Sequence, residues 1–198
     1  MRIAAGLLSL ALLAACATTT REQIGLPEFA TWDARLAALA ELSDWEFRGR
    51  IGVKAGDDGF NGKVRWIQQD EQFIATVGGP IGIGTVRIEG AGNTAILTDK
   101  DGAPTRLDDV ETELYYRYGW TLPVQSLRYW ALGIPDPAAP AETSFDADGL
   151  LDSLSQRDWT VRIERYRDGG GQPMPFRLTA TSSNTKVRLV VDSWYFFK

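Results

Sequence analysis

Val77-Gly78-Gly79-Pro80-Ile81-Gly82-Ile83-Gly84-Thr85 lies between two segments, 73–77 and 86–89, in which apolar and polar side chains alternate. Period two on both sides of a glycine-rich connection predicts a β-hairpin. Hairpin tips are normally polar, because water must satisfy the turn's backbone. This tip has no charged or polar side chain before Thr85, and it carries two isoleucines. A phosphate-binding loop fails on spacing: after Gly82-Ile83-Gly84 a third glycine would be needed at 87, where Arg87 stands, and a helix should follow rather than a strand. Two readings remain. Either the turn is buried and its isoleucines fill a core, or it is an exposed apolar knuckle suited to a membrane or a hydrophobic partner.

Working outward, the same period recurs on both sides. Trp45, Phe47, Ile51 and Val53 alternate with Glu46, Arg48, Arg50 and Lys54, as in a half-buried antiparallel strand. Beyond a turn at Gly56-Asp57-Asp58-Gly59, Phe60, Val64 and Trp66 repeat the pattern. A short strand is expected from Ala95 to Asp99, closed by Lys100-Asp101-Gly102. Later runs follow at Leu150–Leu154, at Trp159, Val161 and Ile163, at Phe176, Leu178 and Ala180, and at Val187, Leu189 and Val191. Residues 167–175, rich in Gly and Pro, read as a loop. Helical spacing appears in 31–42, where Trp32, Leu36, Leu39 and Leu42 share a face. It appears again in the middle of the chain. There Asp108 and Glu111 resemble a capping box, Gly119 ends one helix, Pro123 opens a second and Gly133 ends it. Pro135, Pro137 and Pro140 then mark a linker. The fold class expected is mainly β with a helical lid: an incomplete antiparallel barrel of about nine to eleven strands, curled to limit its edges.

The N-terminus bears on compartment. Arg2 and the apolar run 3–13 form a segment too short to span a bilayer. It ends in Leu13-Ala14-Ala15-Cys16, which resembles the lipobox of bacterial lipoprotein precursors. That resemblance implies a signal peptide over 1–15, lipid attachment at Cys16, a tether over 16–30 and a domain over 31–198. Ala17, where an inner-membrane retention signal would carry Asp, directs the expectation to the periplasmic face of the outer membrane. Cys16 is the only cysteine, so no intramolecular disulfide can form. The chain contains no histidine, which removes Ser-His-Asp and Cys-His schemes and the usual zinc ligand sets. A formal charge of −5 argues against a nucleic-acid partner. The acid pairs Asp57-Asp58 and Asp108-Asp109 read as a turn and a helix start rather than a catalytic dyad, so no enzyme activity, metal or cofactor is expected.

Trp66-Ile67-Gln68-Gln69, Gly79-Pro80-Ile81-Gly82, and Gly119-Trp120-Thr121-Leu122-Pro123-Val124 occur in an order that resembles the LolB family, the outer-membrane lipoprotein receptors of the Lol pathway. Leu127-Arg128-Tyr129-Trp130-Ala131-Leu132-Gly133-Ile134-Pro135 and Val191-Asp192-Ser193-Trp194 extend the likeness across 32–198. It implies a half-barrel around an apolar cavity, which takes triacylated lipoproteins from the periplasmic carrier LolA and inserts them into the outer membrane. Partners are then LolA, the clients' acyl chains and outer-membrane phospholipid, with the protein itself a monomer. The family's loop leucine corresponds to Ile81, so Ile81, Ile83 and Pro80 are the expected membrane-inserting residues. The expected acyl-chain lining is Phe47, Ile51, Val64, Trp66, Phe73, Ala75, Val86 and Ile88 from strands. Leu114, Leu127 and Trp130 join from the helices. Ordinary core packing is the competing reading for each. Arg48, Arg50, Arg65 and Arg87 fall on the opposite parity, as a solvated face that could also meet the carrier or anionic lipid.

Overall fold

Alternation along the chain resolves into one antiparallel sheet. The computed structural model describes residues 21–79, 85–99 and 101–198. In chain order these form β1 (Gln23–Ile24), α1 (Trp32–Ala40), β2 (Asp44–Ala55), β3 (Asp58–Gln69), β4 (Gln72–Gly78), β5 (Thr85–Ala91), β6 (Thr94–Thr98) and β7 (Pro104–Leu107). There follow α2 (Val110–Tyr118), α3 (Val124–Leu132), β8 (Glu142–Phe145), β9 (Leu151–Gln156), β10 (Trp159–Asp168), β11 (Pro173–Thr181) and β12 (Thr185–Phe197). The sheet order is β7-β6-β5-β4-β3-β2-β12-β11-β10-β9-β8, with β1 added on β12. The barrel is incomplete, as expected: β7 and β8 are edges and do not pair with each other. The twelve strands among the described residues exceed the nine to eleven expected by short ones that bury little. β8 is exposed along its whole length, and β1 is two residues long.

The longest contact of the sheet joins the two halves of the sequence. β12 pairs with β2 from Thr185↔Ala55 to Phe196↔Trp45, with a register shift between Val191 and Ser193. The shift changes which parity faces inward: Val187, Leu189 and Val191 are buried before it, Trp194 and Phe196 after it. Gly49 stands opposite Val191, and a Cβ there would lie 2.2 Å from the Val190 carbonyl oxygen, so this position excludes a side chain.

Helix ends follow local chemistry. Thr31 caps α1, its side-chain oxygen accepting from the Ala34 N–H at 3.2 Å. Asp109, rather than Asp108, caps α2 by accepting from the Thr112 N–H at 2.9 Å, while Glu113 reaches back to the Asp108 N–H at 2.8 Å. The helix stops at Gly119 with φ +74°, where the left-handed region favours glycine. α3 stops at Gly133, φ +79°; the Gly133 N–H donates to Trp130 O and the Ile134 N–H to Tyr129 O, closing the last turn. Ahead of α1, β1 pairs with Phe196–Phe197 and Leu26 reaches the core.

Candidate functional site

One face of the sheet carries nearly all of the large apolar side chains. Phe73 of β4 stacks on Trp66 of β3 with centroids 5.1 Å apart. Trp66 lies 6.2 Å from Phe47 and 6.4 Å from Trp45, both of β2. Phe47 meets Trp194 of β12 edge-on at 5.3 Å, and Trp194 stacks on Phe196 at 5.9 Å. An aromatic strip therefore crosses four neighbouring strands. Its polar atoms are satisfied locally: the Trp66 indole N–H donates to Gln68 Oε1 at 3.1 Å, and that of Trp194 to Pro175 O at 3.0 Å. Trp45 was recognisable by parity. Trp194 and Phe196 join the strip only because of the β12 register shift, which has no clear signature in the sequence.

The helices cover this face, and α3 touches both arms of the sheet. Arg128 pairs with Glu71 in the β3–β4 turn at 3.3 Å, whereas Trp130 lies 6.1 Å from Trp159 of β10. Only a curled sheet brings those partners to one nine-residue helix. The C-terminal half of α3 is locked by a buried polar cluster. Gln156 Oε1 accepts from the Trp130 indole at 2.9 Å and from the Asp136 N–H at 3.0 Å. Its amide donates to Asp136 O and Ala139 O, and Ser126 donates to Asp136 Oδ2 at 2.8 Å. α1 is held by buried Arg35, which donates to Pro173 O at 2.6 Å; burial pushes that guanidinium below its ordinary pKa. At the other end of the covering, Trp120 sits 5.3 Å from Phe60 of β3.

The opposite face is charged. Glu46 points outward in register but is buried, its side chain 4% exposed, because Arg65 grips it with two bonds of 2.8 and 2.7 Å and Arg48 adds one of 2.6 Å. Burial alone would raise the Glu46 pKa, but the hydrogen bonds from Arg65 and then Arg48 outweigh it and hold the carboxyl below its usual range. Arg50 pairs with Asp192 at 3.0 Å and Arg87 with Glu89 at 2.7 Å.

Of the expected acyl-chain lining, Phe47, Ile51, Val64, Trp66, Phe73, Ala75, Ile88, Leu114, Leu127 and Trp130 are buried in one cluster, and Val86 packs on it half-buried. The sheet and helix side chains of this set belong to the same buried cluster. Four hollows open on the outer face and along its edges. Cys16, Pro80, Ile81 and Ile83 lie outside the described residues. The connection that carries Pro80, Ile81 and Ile83 is located by its ends: Gly78 pairs with Thr85, so 79–84 joins β4 to β5. No helix among the described residues is long and apolar enough to cross a membrane.

A family model described as outer membrane lipoprotein LolB matches residues 43–194. The outer-membrane lipoprotein LolB of Nitrosococcus oceani is 33% identical over 194 residues, covering 98% of this chain and 96% of that one. That of Pseudomonas aeruginosa is 30% identical over 188 residues, covering 94% and 92%. Among solved structures, a LolA superfamily protein from Nitrosomonas europaea shares the fold with a TM-score of 0.57 at 11% identity, over 86% of this chain and 95% of that one. A DUF1329 family protein from Desulfovibrio piger aligns with a TM-score of 0.56 at 6% identity, over 82% and 89%.

Proposed function

The chain belongs to the LolB family of outer-membrane lipoproteins, and from that premise we propose that it receives triacylated lipoproteins from the carrier LolA and releases them into the outer membrane. The observation that supports this reading is the one-sided aromatic strip, covered by helices rather than by a second sheet. Three acyl chains hold ~40 methylenes, and exposing them to water would cost tens of kcal/mol at ~0.8 kcal/mol each. A client must therefore pass between apolar surfaces without meeting solvent. Because the helices fill the inward face, entry requires them to lift, exchanging helix–sheet contacts for chain–sheet contacts of similar area. Such an exchange needs no nucleotide; it needs only that the receptor hold the chains more tightly than the carrier and less tightly than a bilayer.

Delivery is assigned to the connection between β4 and β5, with Ile81, flanked by Pro80 and Ile83, entering the lipid. Cys16 is the proposed anchor. The test is transfer of a labelled lipoprotein from loaded LolA to the receptor, then to outer-membrane vesicles. Ile81→Glu should accept the client normally and fail at the second step, since a charge resists entering hydrocarbon. Normal delivery by this variant would sink the assignment. The close packing of the inward face also favours a second reading, an assembly lipoprotein whose core never opens; such a protein would accept no client in the first step.

A further inference from the structure

The outward face of the sheet carries a group of cations at the same end as the β4–β5 connection. Lys63 of β3 pairs in register with Gly78, the last residue of β4, and on its other side with Arg50 of β2. Arg188 of β12 pairs with Gly52, two residues along β2. Together Arg50, Lys63, Arg188, Gly52, Gly78 and Val190 line an open hollow of about 590 Å³. Glycine at 52 and 78 leaves backbone as the floor, so the hollow is shallow and ringed by the charged heads. Among the described residues no carboxylate lines it. Arg50 is neutralised by Asp192 at 3.0 Å, but Lys63 and Arg188 are exposed and take part in no ion pair among the described residues. From sheet spacing, their Cα atoms are about 12 Å apart. An adjoining hollow shares Arg188 but differs in its lining: there Asp57 and Asp58 offset two of the three cations Lys54, Lys186 and Arg188.

We propose that Lys63 and Arg188, across the glycine-floored hollow, bind the phosphodiester headgroup of an anionic phospholipid and hold the root of the β4–β5 connection against a bilayer. Two unneutralised cations persist here on a chain of net charge −5: Lys63 stands one strand from the end of β4, where a connection without charge begins, and Arg188 stands two strands beyond Lys63. That pairing of an uncharged segment with flanking cations suits the boundary between hydrocarbon and headgroups. Each basic side chain near an anionic surface strengthens binding about fivefold, and the attraction weakens with salt. The proposal rests on the reading that this end of the sheet faces a membrane, but not on client delivery.

The test uses the chain from Ala17, which has no thiol for lipid; the sheet and the core cluster described above lie entirely within 23–197, so this chain carries its own fold. Sedimentation with vesicles of phosphatidylcholine is compared with vesicles in which a third of the lipid is phosphatidylglycerol. Binding should be at least tenfold stronger to the anionic vesicles and should fall in high salt. Lys63→Gln with Arg188→Gln should lose on the order of tenfold of the anionic binding and leave the phosphatidylcholine value unchanged. Arg162→Gln, an exposed cation on β10, should behave as wild type. Equal binding to both vesicles overturns the proposal and would leave these cations for an acidic protein surface; so would a double variant that keeps the anionic preference. No client is present, so failure here leaves lipoprotein transfer standing, and failed transfer with intact headgroup preference does the reverse.

Discussion

The indole N–H of Trp130 donates to Oε1 of Gln156, 26 residues away, at 2.9 Å inside the core. This bond ties the last turn of α3 to the end of β9, and the same oxygen also accepts from the Asp136 backbone. Replacing the amide with a hydrocarbon of similar size would strand both donors without water. Gln156→Leu is expected to lower stability by about 2–4 kcal/mol in urea unfolding. A loss below about 0.5 kcal/mol would mean that the cluster is not holding the helix.

Gly49 faces the register shift of β12, and its added Cβ would meet backbone that cannot swing aside. Gly49→Ala should cost roughly 1–3 kcal/mol. It should also disturb the Phe47–Trp194 contact, visible as a change in near-ultraviolet circular dichroism. An unchanged unfolding midpoint would contradict the close approach.

Acid should release Glu46. Its folded pKa is depressed, so its contribution is complete above the unfolded value of ~4.3 and is lost as pH falls through the lower folded value. Below about pH 4 the wild type should therefore lose stability faster than Glu46→Gln, which has no such proton to take up. Parallel stability–pH curves for the two proteins would rule this out.

Bridging α3 to the β3–β4 turn tests whether the helices must lift. With Glu71→Cys and Arg128→Cys in the chain from Ala17, the two new thiols replace a pair 3.3 Å apart and are the only ones present. A short bis-maleimide across them should slow client uptake at least tenfold, whereas the unbridged double variant should take up client normally. Uptake unaffected by the bridge would show that α3 stays in place during entry.

Much of the sheet was legible because one face is apolar and the other is not: Trp45, Phe47, Ile51 and Val53 announce β2 by themselves. Gly119 and Gly133 were legible for a local reason, the left-handed turn each must make. β8 was not, because Glu142-Thr143-Ser144-Phe145 is exposed throughout and buries nothing that could impose a period. β10 and β11 also run further than their apolar residues, shortening the expected 167–175 loop to 169–172. Among the polar residues, parity read Glu46 as solvated, and it misled because Arg65, nineteen residues on, seals the carboxylate. Gln156 and Asp136 carried no advance signal either, since their partners are set by tertiary packing. The cations of the hollow were partly visible: Arg50 lay on the expected charged face, but the pairing of Lys63 with Arg188 depends on the β2–β12 register.

A twelve-stranded ribbon that never meets itself has two lips at which stray chains could add strand upon strand. Both lips are only four residues long, and Pro104 opens one of them without an amide hydrogen to offer. The molecule can thus stay unsealed, with slack for its covering to move, while giving a growing fibril little to copy.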